Sequence, residues 1–121
     1  MKKLVLLFSH QLTEKQELDV KDNLKCDEIL YMPKDLKEHW QDLGIERKLE
    51  KFKNFLNEVT IIGDYVLVQG EWGATYEMVN FCKKQNLIPI YSSTKREVEE
   101  IKNGEAITKI SRFVHRGFIK Y

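Results

Sequence analysis

Tyr65-Val66-Leu67-Val68-Gln69-Gly70-Glu71-Trp72-Gly73-Ala74-Thr75 is the segment that decides the predicted fold of this chain. It opens with an uninterrupted apolar run, which is typical of a strand covered on both faces, as in a parallel sheet. The two glycines that follow predict a tight turn, and the pattern after Gly73 predicts a helix. A buried strand that turns directly into a helix is the repeating unit of α/β proteins.

The same unit recurs on both sides of this segment. Strands are predicted at residues 4–8, 29–32 and 87–91, and helices at residues 13–23, 35–43 and 45–59. The first helix begins with a capping box, Thr13 with Gln16, and the third carries an apolar stripe from Ile45 to Val59. The length of 121 residues fits one domain. We therefore predict a single domain over residues 1–121, an α/β fold with a mostly parallel, Rossmann-like sheet flanked by helices.

The C-terminal region combines two patterns. Thr94 and Glu97 form a second capping box, which predicts a short helix that ends at Asn103-Gly104. Residues 106–120 then alternate apolar and basic side chains. This alternation predicts a C-terminal strand or hairpin with a positive, solvated face.

Composition excludes several classes of protein. No apolar run approaches the roughly 20 residues of a membrane helix, and the short run after Lys2-Lys3 lacks a signal-peptide cleavage site. Cys26 and Cys82 lie far apart without CxxC spacing, so neither a disulfide framework nor a zinc site is expected. We expect a cytoplasmic protein with reduced thiols, no membrane partner, no metal and no cofactor.

The net charge of +1 hides an uneven distribution, since residues 106–121 carry four basic and no acidic side chains. The rest of the chain is weakly acidic. The basic tail is either a solvated strand face or a contact for an anion. We interpret this distribution of charge as favouring a small polyanion over a long nucleic acid as the ligand.

Three polar loops follow predicted strands. They are Ser9-His10-Gln11, the turn 69–75 and the segment 92–96. In an open parallel sheet these loops meet at the edge formed by the carboxyl ends of the strands, where ligands bind. Gly70, Gly73 and Thr75 either let a phosphate or ribose approach the backbone or merely shape the turn.

The chemistry of individual side chains leaves alternatives open. Lys95 and Arg96 in a first helical turn either clamp a phosphate or are solvated and paired with acids. His10 either transfers a proton or binds phosphate, or does neither. Glu71 is either a general base or a helix cap, and Trp72 either stacks on a base or packs in the core. Two further histidines are weaker candidates: His39 is expected to pack, and His115 could join an anion site.

Taken together, Phe8–Thr13, Val66–Thr75 and Tyr91–Glu97 resemble a small type III CRISPR-associated family. Its members are compact single-domain relatives of the CARF (CRISPR-associated Rossmann fold) proteins, among which ring nucleases occur. The resemblance covers almost the whole chain. It implies a homodimer that binds cyclic tetra-adenylate, or another cyclic oligoadenylate, across its two-fold axis. It also implies metal-independent cleavage, in which a ribose 2′-OH attacks the adjacent phosphate and leaves a 2′,3′-cyclic phosphate.

Loop position and chemistry then predict two sets of site residues. The expected catalytic residues are Ser9, His10, Lys95 and Arg96. The expected ligand contacts are Gln11, Gln69, Gly70, Glu71, Trp72, Gly73, Thr75, Ser93 and Thr94. Two other functions remain open: a sensor or sponge that binds the same messenger without cleaving it, and a domain for an unrelated nucleotide or for RNA.

Overall fold

The computed structural model describes residues 2–121, so Met1 of the predicted domain lies outside the described residues. The described chain forms five strands and four helices. In chain order they are β1 (Lys3–Leu7), α1 (Glu14–Asp22), β2 (Glu28–Leu30), α2 (Lys34–Gln41), α3 (Glu50–Val59), β3 (Tyr65–Val68), α4 (Trp72–Lys84), β4 (Ile88–Asn103) and β5 (Ala106–Lys120).

The strands form one mixed sheet in the order β2-β1-β3-β4-β5. β2, β1, β3 and β4 are parallel, and β5 is antiparallel to β4. The predicted α/β class and mostly parallel sheet are therefore confirmed. No helix within residues 2–121 is long and apolar enough to cross a membrane.

Both faces of the central strands are buried, which explains their uninterrupted apolar sequence. On one face, Leu4 and Leu67 pack with Val20 of α1. On the other face, Val66 packs among the side chains of α2, α3 and α4, including Phe52. Burial of these side chains supplies most of the hydrophobic stabilisation of the sheet.

The predicted helix 45–59 is correct only from residue 50 onward, since α3 begins at Glu50. Ile45 is fully exposed instead of buried. Gly44 and Arg47 both have positive φ, +65° and +44°, and such backbone turns are incompatible with a right-handed helix. By contrast, the capping box of Thr13 and Gln16 forms with both of its hydrogen bonds.

The predicted helix from Thr94 to Gly104 is wrong. These residues extend β4, which pairs with β5 from Thr94↔His115 to Asn103↔Ala106. A two-residue turn connects the strands, with φ of +68° at Gly104, as in a type II′ hairpin turn. The long-range pairing therefore overrides the local capping signal.

We call residues 95–114 the arm. They form a two-stranded ribbon that continues past the sheet, and each of them is exposed except the half-buried Val114. A register shift between Ser93 and Thr94 leaves Arg116 as an extra residue at its base. At about 3.4 Å per residue, the arm is about 30 Å long.

Candidate functional site

The loops after β1 and β3 meet at the carboxyl edge of the sheet, as predicted. Ser9, Gly70 and Glu71 line one cavity of about 370 Å³, together with Trp40 and Gly44. The chain leaves β1 toward β2 on one side and returns to β3 on the other. This edge is therefore a topological switch point, where ligands bind in open α/β sheets.

A second cavity of about 460 Å³ lies on the other side of the β3–α4 turn. Its aromatic lining includes Trp72 and Tyr76, which stand one turn apart on α4 and are 91% and 74% exposed. The core interpretation of Trp72 is therefore wrong. Ala74, Met78 and Cys82 form the buried stripe of α4, and their spacing could have excluded Tyr76 from it.

Tyr121 closes this second cavity, and sequence reasoning gave it no role. Its hydroxyl donates to the carbonyl oxygen of Val68 at 2.5 Å, and its ring lies 4.9 Å from that of Tyr91. Burial, with a smaller contribution from Tyr91, raises the pKa of Tyr121. Its phenol is thus a neutral hydrogen-bond donor at the end of β3.

The space at each glycine of the turn is filled by a side chain of the protein. A Cβ on Gly70 would lie 2.6 Å from Nε1 of Trp40, which donates to the Gln69 carbonyl at 3.0 Å. A Cβ on Gly73 would overlap Nη1 of Arg47. Gly70 therefore leaves room for the buried Trp40 indole and shapes the turn, whereas at Gly73 the space holds only the end of the exposed Arg47 side chain.

Several polar side chains near the turn already form hydrogen bonds or an ion pair within the protein. Glu71 caps α4, because its Oε1 accepts from the Gly73 N–H at 2.6 Å and lies 3.6 Å from Nη1 of Arg47. Gln69 Oε1 accepts from the Ser92 N–H at 2.9 Å. Among the described residues, only the Thr75 hydroxyl is a buried side-chain oxygen or nitrogen without a hydrogen-bond partner, and Thr75 lines the second cavity.

The candidate residues of the loop after β1 differ in their exposure to solvent. Ser9 is half-buried in the first cavity, whereas His10 and Gln11 are exposed. The His10 ring contacts Phe8 edge-on at 5.2 Å. Arg47, which lies over the start of α4, was missed because its left-handed turn has no signal in the sequence.

The predicted phosphate clamp on a first helical turn is wrong, since no helix begins at Thr94. Ser93 lies at the base of the ribbon, Thr94 is exposed just before the arm, and Lys95 and Arg96 lie on the arm. Arg96 donates from Nε and Nη2 to the Ser111 hydroxyl, at 3.3 and 3.0 Å. Its guanidinium is thus held against the neighbouring strand.

A buried chain of hydrogen bonds joins α1 to the base of the arm. His115 contacts the Ser92 hydroxyl through Nδ1 at 2.5 Å and the Asp19 carboxylate through Nε2 at 2.6 Å, and Gln16 donates to the same hydroxyl at 3.3 Å. Burial alone would raise the pKa of Asp19, but hydrogen bonds from Asn23 and His115 outweigh it, so this pKa is lowered. Ser92 is only 7% exposed, so its hydroxyl is not an accessible nucleophile. The role of these hydrogen bonds is to position the base of the arm.

The other candidate chemistries concern thiols and metals. Cys26 and Cys82 are free and buried, and burial raises the pKa of their thiols to about 11 and about 12. Both thiols are therefore neutral and unreactive near pH 7. Within residues 2–121, no three His, Cys, Asp or Glu side chains are grouped as metal ligands would be.

Comparison with known proteins gives a family but no activity. The chain is 49% identical to "Uncharacterized protein MJ1673" of Methanocaldococcus jannaschii over 127 aligned positions, which cover 100% of this chain and 98% of the relative. No solved structure gives a significant match. A family model described as "Uncharacterized protein MJ1673 family" matches residues 2–119. The chain therefore belongs to the MJ1673 family.

Proposed function

We propose that this protein binds a cyclic oligoadenylate, cyclic tetra-adenylate in the first instance, at the carboxyl edge of its sheet. The observation that carries the proposal is the pair of exposed aromatic rings, Trp72 and Tyr76, beside a cavity of about 460 Å³. A stacked base contributes about 1–3 kcal/mol on such a ring. The adenylate identity rests on the resemblance of the three loops to the CRISPR-associated family, as does a Rossmann-like, CARF-like homodimer.

The neighbouring groups suit a nucleotide with a phosphate. Arg47 lies at the start of α4, where it and the Gly73 N–H contact the Glu71 carboxylate, and a phosphate that displaces this carboxylate would gain both contacts. The unpartnered Thr75 hydroxyl is available to a ribose or base after a small shift. The first cavity, with Ser9, lies on the other side of Gly70, so adjacent nucleotides of one ligand could occupy both cavities.

We further propose that the protein is a ring nuclease. Ser9 or His10 would orient the ribose 2′-OH or the leaving 5′-oxygen. The 2′-oxygen attacks the adjacent phosphorus, the bond from phosphorus to the 5′-oxygen breaks, and the 2′-OH loses its proton as the 5′-oxygen gains one. Lys95 and Arg96 would stabilise charge on that phosphate. Two observations favour binding without cleavage as a second candidate. Glu71 and Gln69 are already hydrogen-bonded within the chain, and Lys95 and Arg96 lie on the arm and not at a helix start.

Binding and cleavage are separable in one experiment. Cyclic tetra-adenylate is incubated with the protein and a chelator, and the products are resolved by chromatography. Trp72→Ala is expected to weaken binding at least about tenfold, because a stacking contact is lost. Trp72→Phe should retain most binding, and Ile62→Ala, at an exposed position away from both cavities, serves as the control.

The outcomes distinguish the candidates. Linear products with a 2′,3′-cyclic phosphate, slowed at least tenfold by His10→Ala or Arg96→Ala, support the nuclease. Tight binding with intact messenger supports the sensor. Absence of binding, or binding that Trp72→Ala leaves unchanged, contradicts the proposed site. Salt-sensitive binding of random RNA instead would indicate the tail as a nucleic-acid surface.

A further inference from the structure

We propose that the arm is a dimerisation element that packs against a second copy of this chain. This inference deepens the homodimer part of the proposed function by naming its surface. A two-stranded ribbon is marginally stable alone in water, and nothing within the described residues covers residues 95–113. The buried network of Ser92, His115 and Asp19 nevertheless fixes the base of the ribbon to α1.

Apolar side chains stand on both faces of the arm. The strand register places Val98, Ile107 and Phe113 on the face that His115 shares with α1, and Ile101 and Ile110 on the opposite face. These five side chains are between 39% and 72% exposed. Isolated exposed apolar residues are ordinary, but five within one unpartnered ribbon indicate a contact surface.

The size of the arm indicates that a partner covers both faces. A ribbon about 30 Å long and about 10 Å wide presents about 300 Å² per face. One face alone falls well short of the roughly 800 Å² per partner in a stable interface, whereas two faces give about 600 Å². A second copy that contacts both faces, with its own arm and body, reaches the lower end of that range.

The charge of the arm favours a copy of itself over a nucleic acid. Its five cations are interspersed with four carboxylates, and two ion pairs already form across the ribbon, Arg112–Glu99 at 2.7 Å and Lys109–Glu100 at 3.9 Å. The face opposite α1 carries two charges of each sign. Those four charges are Lys95, Glu97, Glu99 and Arg112. A two-fold copy of this face can therefore pair opposite charges in a suitable register, while a phosphate backbone would meet carboxylates.

The direction of the arm agrees with a ligand shared by two copies. β4 runs out beyond Ser92, past the carboxyl edge that carries both cavities. A partner bound along the arm consequently lies beyond that edge. A dimer in which the carboxyl edges of the two copies face each other across the two-fold axis would let one ligand contact both candidate sites.

Oligomeric state, measured by light scattering and sedimentation without ligand, tests this inference independently of the proposed function. The wild-type chain is expected to be a dimer. A variant in which an Asn-Gly turn replaces residues 96–113 keeps the Ser92–His115–Asp19 network and should be a monomer with unchanged circular dichroism. Ile110→Glu and Phe113→Glu, one on each face, should each weaken dimerisation at least about tenfold.

Two controls make the result specific. Ile62→Glu changes an exposed apolar residue outside the arm and should leave the dimer intact, as should Trp72→Ala. A monomeric wild-type chain, or a dimer that survives removal of the arm, overturns the inference. An arm-dependent complex with random RNA in place of a dimer overturns the second copy as its occupant.

Discussion

The body of the protein and its arm differ in how they hold strands in place. In the body, β1 and β3 are buried on both faces by helices, so each strand is fixed by its own apolar surface. In the arm, β4 and β5 are held by each other alone, and their apolar side chains are exposed. The difference teaches that strands of one sheet carry different roles: the body supplies stability, and the arm supplies surface.

The largest expected effect is on the free energy of unfolding, when truncation of Trp40 is compared with truncation of Phe113. These two aromatic residues are 2% and 72% exposed. Trp40→Ala leaves a cavity and removes the hydrogen bond to Gln69, so the free energy of unfolding should fall by about 3–5 kcal/mol. Phe113→Ala should change it by less than about 0.5 kcal/mol. Urea unfolding at low protein concentration measures both, and similar values would contradict the contrast.

An intermediate effect is expected where the body meets the base of the arm. The hydrogen bonds that lower the pKa of Asp19 stabilise the folded chain above the unfolded value of 3.8, and this stability is lost as pH falls through the folded pKa. Asp19→Asn should cost about 1.5–3 kcal/mol at pH 7, since a hydrogen bond to a charged group is lost.

The pH profile of the unfolding free energy provides the control for Asp19. Wild type should lose stability below pH 3.8 more steeply than Asp19→Asn, because the variant has no carboxylate to protonate. Asp22→Asn, on the same helix but outside the hydrogen bonds of Ser92, His115 and Asp19, is the matched control. Parallel acid profiles for wild type and Asp19→Asn would show that the network does not stabilise the fold.

The sequence predicted the body well because its signals are local and agree with one another. Continuous apolar runs identified β1 and β3, and the capping box at Thr13 identified the start of α1. These signals also placed the loops with Ser9 and Gly70 at one edge, where the structure confirms a shared cavity. Secondary structure therefore sufficed to locate the candidate site.

The sequence failed where the decisive interactions are long-range. Thr94 and Glu97 match a capping box, and Gly104 fits both a helix end and a hairpin turn. Pairing with residues 106–115 selects the hairpin, and no local window contains that information. The positions of Arg47 and His115 in space could not be predicted either, since they depend on a left-handed turn and on the hairpin itself.

The smallest expected effect on the free energy of unfolding is the loss of an exposed ion pair on the arm, which we compare with an ion pair of a buried carboxylate in the body. Lys3–Asp64 in the body involves a carboxylate that is 2% exposed, and Asp64 also accepts from the Ile61 N–H at 2.9 Å. Arg112–Glu99 on the arm joins side chains that are 56% and 57% exposed. Because solvent screens an exposed pair, Arg112→Ala should change the free energy of unfolding by at most about 0.5 kcal/mol.

Asp64→Asn should cost about 1–3 kcal/mol by comparison, because it weakens the hydrogen bond and the ion pair of a buried carboxylate. Tryptophan fluorescence during urea unfolding, at the lowest workable protein concentration, measures both variants in the monomer. A loss of more than about 1 kcal/mol for Arg112→Ala would mean that the ribbon contributes to the stability of the body. A loss that appears only as the protein concentration rises would instead assign Arg112 to the contact between two copies, because only association depends on concentration.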